Sequence, residues 1–465
     1  MVESYSHSSM KSRYLLPLLF FVSVSVNVNA DENSVTYKEV TKSPEYIMLS
    51  ISGNNPITYS VTWRTVYEDT VSVAQIAKSF ASPQAELYNP MTVQGTHSPW
   101  ESNETYAMGH KVKFTGLEPS TSYMYRVGNG EEWSEWIQFR TASERTEPFS
   151  FIYLGDFQND IKELASRSIR QAYTHFSDSD FILWAGDVVR MHTRDYWDEF
   201  FYAGGWIYSQ MPSLVVPGNH EYKGGDMPHY SWMWDQIYDM PGNCPDDAYH
   251  NRVWYVDYQG VRFIGLDGSR MTDEKDGKML MDWFEDKLKN NPCKWCIVAI
   301  HQPVYKSASG RNDNPKLLGA LKPMYEKYGV DLVLQGHDHT YCRGFNKPMI
   351  GEDCVNPPMY VVSVSGPKVY GLSPYKWADR YASDTQFYQR ISIDGNRLSY
   401  ECYDITGSLF DAFTLVKRNG KANKFIEDKR VKDIPVIVRM PKNSEKRYTP
   451  EELQEYYKVY GIEKQ

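Results

Sequence analysis

The sequence predicts an N-terminal all-β sandwich followed by an α/β domain. Residues 40–142 contain short strands of alternating polarity, separated by turns, with no helical periodicity. From residue 149 to residue 418, apolar strands alternate with amphipathic helical stretches, which is typical of α/β domains. Because 41% of the 465 residues are hydrophobic and 15% are aromatic, the chain has enough apolar surface for a large core.

Residues 1–30 predict a cleaved secretory signal peptide. Lys11 and Arg13 precede an apolar run that ends in a small-residue cleavage site at Ala30. The run is too short to span a bilayer comfortably, and no later segment reaches the roughly 20 apolar residues that a membrane helix needs. We therefore expect a secreted or periplasmic protein with no integral membrane segment after signal cleavage.

The sandwich segment, residues 40–142, carries two features of its expected fold. Trp63 lies in the middle of a strand and is expected to anchor the core between two sheets. The stretch 116–123 resembles the strand-joining corner of fibronectin type III domains, where a tyrosine hydroxyl, here that of Tyr123, binds the preceding turn. A fibronectin type III-like sandwich of this kind says nothing by itself about chemistry.

The segment 149–418 shows a regular succession of elements. Strands are expected at 149–154, 181–185, 214–217, 261–266, 295–300 and 331–335, and helices near 161–176, 278–289 and 315–328. The β pattern returns after Met359 and ends near Val416. In the C-terminal extension, 419–465, the basic stretch 417–447 is interpreted as solvated surface, and the capping box Thr449-Pro-Glu-Glu predicts a short helix.

The charge balance argues against one class of partner. Fifty basic and 59 acidic residues give a formal net charge of −9, and the first 400 residues contain no dense basic block. A nucleic-acid backbone is therefore not expected to be a partner, and the substrates should be small.

All six cysteines follow the expected cleavage site, in a compartment where disulfides persist. Cys342 and Cys354 flank a loop rich in glycine and proline and are expected to pair. Cys293 and Cys296 lie on a strand, where residues three apart are too distant for a disulfide. A zinc knuckle at this C-x2-C lacks the second ligand pair that structural zinc requires.

Five strands end in residues that can bind a metal ion. One such ending is usually a turn, a helix cap or a structural histidine. Because ligands of open α/β folds bind outside the carboxyl ends of the strands, five endings of this kind converge on one place. The endings are Gly155-Asp156, Gly186-Asp187, Gly218-Asn219-His220-Glu221, His301, and Gly336-His337-Asp338-His339.

In this order the motifs resemble those of the calcineurin-like metallophosphoesterases: D-x-[HGQ], GDxx, GNH[DE], an isolated His, and GHxH. The sandwich and signal peptide make the whole similar to the purple-acid-phosphatase-like branch of that superfamily. The resemblance implies αββα layers and a binuclear centre, with Asp187 bridging both metals. It assigns the first metal to Asp156 and His339, and the second to Asn219, His301 and His337.

Two divalent or trivalent ions, of Fe, Zn or Mn, would suit these oxygen and nitrogen ligands and would activate a water. We therefore expect hydrolysis of a small phosphorylated substrate, a phosphomonoester, by attack of a metal-bound hydroxide, with His220 as general acid. A phosphodiesterase or nucleotide pyrophosphatase on the same site is the alternative. A non-catalytic fibronectin-bearing binding protein is a third reading, which would predict missing ligands.

Three positions bear on the branch. Purple enzymes carry a tyrosine three residues after the bridging aspartate, whereas this chain has Arg190, so purple colour and an Fe(III) site are in doubt. Gln158 stands in the third position of the first motif, and either ligates the first metal or makes a helix-entry hydrogen bond. Arg311 replaces a histidine of plant relatives, and either binds the substrate phosphate or is an exposed arginine without a partner.

The sequence leaves several properties open. These are the physiological substrate, the metal identity, the oligomeric state, the full disulfide connectivity, and whether translation starts at Met1 or at Met10.

Overall fold

The computed structural model describes residues 39–84, 88–100, 106–222, 231–311, 314–374, 377–439 and 448–461. From Val40 onward these residues belong to one compact unit. The expected signal peptide at 1–30 lies outside the described residues.

The N-terminal part is a β-sandwich. Its strands are β1 Glu45–Ile51, β2 Tyr59–Thr65, β3 Val73–Lys78, β4 Met91–Gln94, β5 Thr96–Trp100, β6 Ala107–Phe114, β7 Ser122–Gly128 and β8 Ile137–Arg140. One sheet of the sandwich has the strand order β1-β2-β6-β5, and the other has the order β4-β3-β7-β8. Tyr59 of the first sheet packs edge-on against Phe139 of the second, with ring centroids 5.0 Å apart. Alternating side chains therefore fill the space between the sheets.

Both local expectations for the sandwich are confirmed. Trp63 is buried and its ring stacks on the ring of His110, with centroids 5.0 Å apart. The hydroxyl of Tyr123 accepts a hydrogen bond from the backbone N–H of Glu118 at 3.0 Å. The corner between strands β6 and β7 is thus closed by a side chain, as the sequence pattern predicted.

The second part is an α/β domain. Its strands are β9 Phe149–Leu154, β10 Phe181–Trp184, β11 Ser213–Val215, β12 Trp254–Tyr258, β13 Val261–Leu266, β14 Trp295–Ile300, β15 Leu332–Gln335, β16 Tyr341–Gly344, β17 Met359–Val362, β18 Arg380–Ala382, β19 Phe387–Asp394, β20 Arg397–Asp404, β21 Leu409–Arg418 and β22 Lys421–Glu427. Its helices are α1 Ser166–Phe176, α2 Arg194–Gly204, α3 Ile207–Gln210, α4 Trp232–Ile237, α5 Gly277–Lys289, α6 Pro315–Tyr328 and α7 Pro450–Tyr460. A π-helical turn, Ile161–Ala165, leads into α1.

Two sheets lie face to face between helices. Phe151 and Phe181 of the first sheet contact Phe263 of the second, with centroids 5.2 and 5.4 Å apart. Helix α1 packs on strands β9 and β19 of the first sheet, and Phe284 of α5 and Leu321 of α6 join the core on the outer face of the second. The layers are therefore helix, sheet, sheet, helix, as expected.

The sandwich and the α/β domain share one sheet, which the sequence did not predict. Within the described residues this sheet has the order β22-β21-β20-β19-β9-β10-β11-β1-β2-β6-β5. The joint is the parallel pairing of β1 with β11, at Ser50 and Ser213. The other sheet of the domain has the order β12-β13-β14-β15-β17-β16-β18.

Two expectations for the C-terminal half are wrong. The stretch after Val416 is not simply solvated surface, because strand β22 pairs antiparallel with β21; its exposed lysines are typical of an edge strand and mask the β pattern. Cys342 and Cys354 are not paired, and all six cysteines are free. Cys342 is buried in β16 beside Thr340 and Ser307, whereas Cys354 lies near Glu326 and Lys322. The capping box is confirmed: Thr449 and Glu452 exchange hydrogen bonds at the start of α7.

Candidate metal centre

The candidate ligands follow parallel strands whose ends lie side by side. In the first sheet, Leu154 of β9 pairs with Trp184 of β10, which pairs with Val215 of β11. In the second sheet, Ala299 of β14 pairs with Leu334 of β15. Because the two sheets face each other, the loops after all five strands meet at one edge of the domain.

A first group of potential ligands consists of Asp156, Asp187 and His339, all buried, with one ligand atom of each lying within 4.8 Å of the others. His339 Nε2 lies 3.4 Å from Asp156 Oδ1. The side-chain amide of Gln158 joins this group, since its Nε2 lies 3.2 Å from both Asp187 Oδ2 and His339 Nε2. The structure thus brings Gln158 to the first site rather than to a helix entry.

A second group consists of Asp187, His301 and His337. His301 Nε2 lies 3.1 Å from Asp187 Oδ2 and 3.2 Å from His337 Nδ1. Asn219 borders this group, because the backbone N–H of the next residue, His220, donates to Asp187 Oδ1 at 2.9 Å. Asp187 is the carboxylate common to both groups.

Backbone carbonyls orient two of the imidazoles. His301 Nδ1 donates to the carbonyl of Ala185 at 2.7 Å, and His339 Nδ1 donates to that of Lys368 at 2.6 Å. A carbonyl can only accept, so Nδ1 carries a proton in both rings, and Nε2 is the nitrogen left for a metal ion. In both rings Nε2 faces a carboxylate of the cluster, which is the orientation of a metal-ligating histidine.

The loops that carry these side chains have unusual backbones. Asp156, Asp187, His337 and His339 all have positive φ, between 49° and 73°. Such left-handed conformations cost non-glycine residues free energy and cluster at functional sites. The glycine of the GNHE motif is needed for packing, since a Cβ on Gly218 would collide with Asp187 Oδ1.

The electrostatics of the cluster favour a bound cation. Burial alone would raise the pKa of Asp187, but the charge and hydrogen bond of His301 hold it well below its usual range. Burial would likewise lower the pKa of His301, yet Asp187 raises it to about 9. Burial raises the pKa of Asp156 to about 7, and burial together with the Lys368 charge lowers that of His339 to about 3. His301 therefore carries a positive charge beside Asp187, which a bound metal ion would replace, and His339 is neutral as a ligand must be.

Two carboxylates that the sequence analysis did not single out brace the site. Glu221 accepts backbone N–H groups of Asp187, Val188 and Gly218, at 2.8, 3.1 and 2.6 Å. Asp338, the third residue of the GHDH motif, is the second of these carboxylates. Both lie inside motifs that the sequence analysis recognised, and this position is the signal that could have singled them out.

Asp338 ties the GHDH turn to the loop that follows β14. Its Oδ2 accepts the backbone N–H and the hydroxyl of Ser307, at 2.6 and 3.1 Å, and the N–H of Ala308 at 3.1 Å. Its Oδ1 lies 3.6 Å from Arg311 Nε. The loop that carries Arg311 is therefore fixed to a metal-ligand turn.

The other two predicted site residues, His220 and Arg311, border the ligand groups. His220 is half-buried, and its Nδ1 donates to the carbonyl of Arg190 at 2.8 Å. The side chain of Arg190 is exposed. Arg311 has partners, because its Nη2 donates to the carbonyl of His337 at 3.0 Å.

Buried side-chain oxygens without hydrogen-bond partners indicate whether a binuclear metal centre fits these residues. Among the described residues, Asp156 Oδ1, Gln158 Oε1 and Asn219 Oδ1 are buried without any hydrogen-bond partner. Buried oxygens are rarely left unpaired, and these three belong to side chains that are hard ligands for metal ions. The oxygen of Gln158 would face the cluster after its amide nitrogen and oxygen exchange places. The oxygens, together with the imidazoles and the shared Asp187, fit two metal ions.

Comparison with known proteins agrees with this geometry. A family model described as "Calcineurin-like phosphoesterase" matches residues 149–341, and one described as "Purple acid Phosphatase, N-terminal domain" matches residues 44–141. Together the two models cover more than half of the chain, and each matches one of its two parts. The label fibronectin type III stays a prediction for the first part.

Relatives and solved structures point the same way. The chain is 28% identical over 360 residues to "Acid phosphatase type 7" of Danio rerio, covering 66% of this chain and 77% of the relative. It is 26% identical over 328 residues to "Probable purple acid phosphatase 20" of Arabidopsis thaliana, covering 66% and 73%. The structure of purple acid phosphatase PPD1 from yellow lupin superposes with a TM-score of 0.68 and 17% identity, covering 81% of this chain and 75% of that one, and so shares the fold.

The chain belongs to the calcineurin-like metallophosphoesterases. Within that superfamily it is of the purple acid phosphatase type, and it is a metal-dependent phosphoester hydrolase. The family implies a binuclear metal centre and a small phosphorylated substrate. Among the described residues, no helix combines the length and the apolar character that crossing a membrane requires.

Proposed function

We propose that this hydrolase is a secreted, binuclear phosphatase that cleaves phosphomonoesters. The observation that carries the proposal is the position of Asp187, whose carboxylate belongs to both ligand groups. One carboxylate shared by two groups is what a pair of neighbouring metal ions requires. The proposal of secretion rests on residues 1–30 of the sequence alone.

Seven residues would hold the metals. Asp156, Gln158, Asp187 and His339 would form the first site, and Asp187, Asn219, His301 and His337 the second. When bound, the two ions neutralise the phosphoryl oxygens and supply a nucleophilic water at neutral or acidic pH. For Gln158, a half-turn of the amide would exchange its nitrogen and oxygen and direct Oε1 toward Asp187 and His339.

His220 would move a proton. Its Nδ1–H is held by the carbonyl of Arg190, so a proton delivered to the leaving oxygen must come from Nε2. An alkyl leaving group needs this proton, because it would otherwise depart as a strongly basic alkoxide. His220 lies beside Asp187 through its backbone N–H without taking a place in either ligand group.

Arg311 would bind the phosphate. Its Nη2 is anchored to the carbonyl of His337, and its Nε faces the Asp338 carboxylate, which fixes the guanidinium beside the second site. The side chain remains one-third exposed, so part of its hydrogen-bonding surface is open to a ligand. A guanidinium fork matches a phosphate better than an ammonium does.

The test combines metal analysis with a substrate panel. Purified wild-type protein and the variant Asp187→Ala are compared for metal content and for hydrolysis of phosphomonoesters and phosphodiesters, with Asp178→Ala on the protein surface as the control. We expect about two ions per chain and monoester hydrolysis in wild type and control, and loss of both in Asp187→Ala. Full activity of Asp187→Ala with both metals retained would contradict the binuclear assignment, and a preference for diesters would assign the alternative, a phosphodiesterase.

A further inference from the structure

Two cationic side chains share one aromatic ring at the edge of the metal centre. The guanidinium carbon of Arg311 lies 5.4 Å from the centroid of the Tyr370 ring, and Lys368 Nζ lies 5.7 Å from the same centroid. The ring of Tyr370 is itself 4.9 Å from the ring of His339, a residue of the first ligand group. Both cations are therefore neighbours of one aromatic ring that borders the centre.

The backbone holds Lys368 and Tyr370 in place. The carbonyl of Lys368 accepts His339 Nδ1–H at 2.6 Å, and the N–H of Tyr370 donates to the carbonyl of His339 at 3.0 Å. The segment is thus attached at two points to a ligand residue. A side chain that starts from this segment has a fixed origin relative to the centre.

The charges of the two cations are unequally compensated. Arg311 faces the Asp338 carboxylate and donates to the carbonyl of His337. For Lys368, by contrast, the contact found among the described residues is with the Tyr370 ring and not with a carboxylate, and its side chain is partly exposed. Among the described residues, only the Arg311 charge of this pair faces a carboxylate, and the Lys368 ammonium is left for an anion.

We propose that Lys368 and Arg311 flank a second anion subsite, and that this subsite makes the enzyme prefer substrates that carry a second phosphate over simple monoesters. The inference rests on the proposed phosphatase function and adds its substrate class. The subsite adds no new chemical step: water forms the new P–O bond, and the ester oxygen leaves with the electron pair of the broken P–O bond and a proton. Lys368 acts only by binding the second anion, as an ammonium that a phosphate oxygen can approach.

A matched pair of substrates tests the subsite. Fructose 6-phosphate and fructose 1,6-bisphosphate present the same 6-phosphate without and with a second anion. We expect wild type to favour the bisphosphate by about tenfold in kcat/KM, the effect of one charge-assisted hydrogen bond. Lys368→Met should remove most of this preference and Lys368→Arg should retain it, while Lys278→Met on the exposed surface of α5 should behave as wild type.

Binding without turnover provides a second readout. Titration calorimetry with methylphosphonate and with methylenediphosphonate compares one and two anionic groups on purified wild type and Lys368→Met. We expect the variant to lose about tenfold in affinity for the diphosphonate and little for methylphosphonate. Chelation of metal by the diphosphonate would be common to both proteins and cancels in the comparison.

The outcomes separate the two proposals. Wild-type protein that hydrolyses neither sugar phosphate nor p-nitrophenyl phosphate would contradict the phosphatase function. Wild-type protein that hydrolyses both sugar phosphates equally well, or a Lys368→Met variant that loses equally on both, would overturn the second subsite and leave the phosphatase function standing.

Discussion

The buried carboxylate of Glu221 accepts the backbone N–H of Asp187 at 2.8 Å, and its two oxygens also accept the N–H groups of Val188 and Gly218. A single side chain thus fastens the loop after β10 to the loop after β11. These loops carry Asp187 and Asn219, two candidate ligands whose positions depend on each other through this brace.

Glu221→Ala should therefore loosen the centre and the fold together. Three buried N–H groups would lose their acceptor, which should lower the free energy of unfolding by about 3 kcal/mol. Metal content should fall as well, because Asp187 is no longer held. Thermal unfolding and metal analysis measure the two effects, and Glu163→Ala, at an exposed position, is the control. An unchanged melting temperature with full metal content would mean that the brace is not needed.

Gln158→Leu should weaken the first metal site by at least about tenfold in affinity, since the leucine side chain has no oxygen to replace Oε1. Gln158→His restores a ligand atom at this position and should retain more metal than Gln158→Leu. Competition with a metal chelator gives the affinities. Equal affinities in wild type and Gln158→Leu would reduce Gln158 to a hydrogen-bond partner of Asp187.

The purified protein should lack the broad visible absorption of a phenolate bound to Fe(III). The residue three positions after Asp187 is Arg190, whose side chain is exposed and offers no phenolate. The visible spectrum of the iron-loaded protein checks this. A purple protein would mean that a different tyrosine reaches the metal, and loss of colour in Tyr370→Phe would identify the ring beside His339.

His220→Ala should reduce activity far more with alkyl phosphates than with p-nitrophenyl phosphate. The alkoxide needs a proton in the transition state, whereas nitrophenolate leaves without one, and general acid catalysis contributes about 10²–10⁴-fold where it is needed. Metal content should stay near that of wild type, because the His220 side chain lies in neither ligand group. Equal losses on both substrates would assign His220 to phosphate binding instead.

The unfolding free energy should fall as the pH drops from about 6.5 to about 4, in part because of His110. Burial lowers the pKa of this histidine from 6.5 to about 4 in the folded state. Between these values the unfolded chain binds a proton that the folded chain excludes, so stability is complete above pH 6.5 and is lost toward pH 4, by up to about 3 kcal/mol. Denaturant unfolding of wild type and His110→Asn across this range measures the difference. Parallel stability curves for the two proteins would contradict the assignment to His110.

Much of the centre could be predicted because its ligands follow strand ends. Strands β9, β13 and β14 begin and end at the predicted residues, and Asp156 and His301 follow from them. The parallel order of β14 and β15 then brings His337 beside His301. Local pattern and one general rule about parallel sheets were sufficient for this part.

Other features depend on contacts that no local pattern contains. The lysine at 368 lies far along the chain from His339 but reaches it through its carbonyl. Asp267 follows β13 and is buried, yet it accepts the hydroxyl of Tyr222 rather than joining the ligand groups. The pairing expected for Cys342 failed because a flexible loop permits, but does not require, that its flanks meet. Strand partners and loop paths are decided by tertiary packing, which sequence spacing does not encode.

The parallel pairing of β1 with β11 determines the smallest piece of this chain that can stand alone. An excised α/β segment starting at residue 149 would expose β11 as an open edge, with a row of unpaired N–H and C=O groups next to the loop of Asn219. An open edge of this kind favours pairing with strands of other chains over a correctly folded catalytic domain. The sandwich is therefore part of the fold of the catalytic domain. An expression fragment that retains enzymatic activity must begin upstream of Glu45.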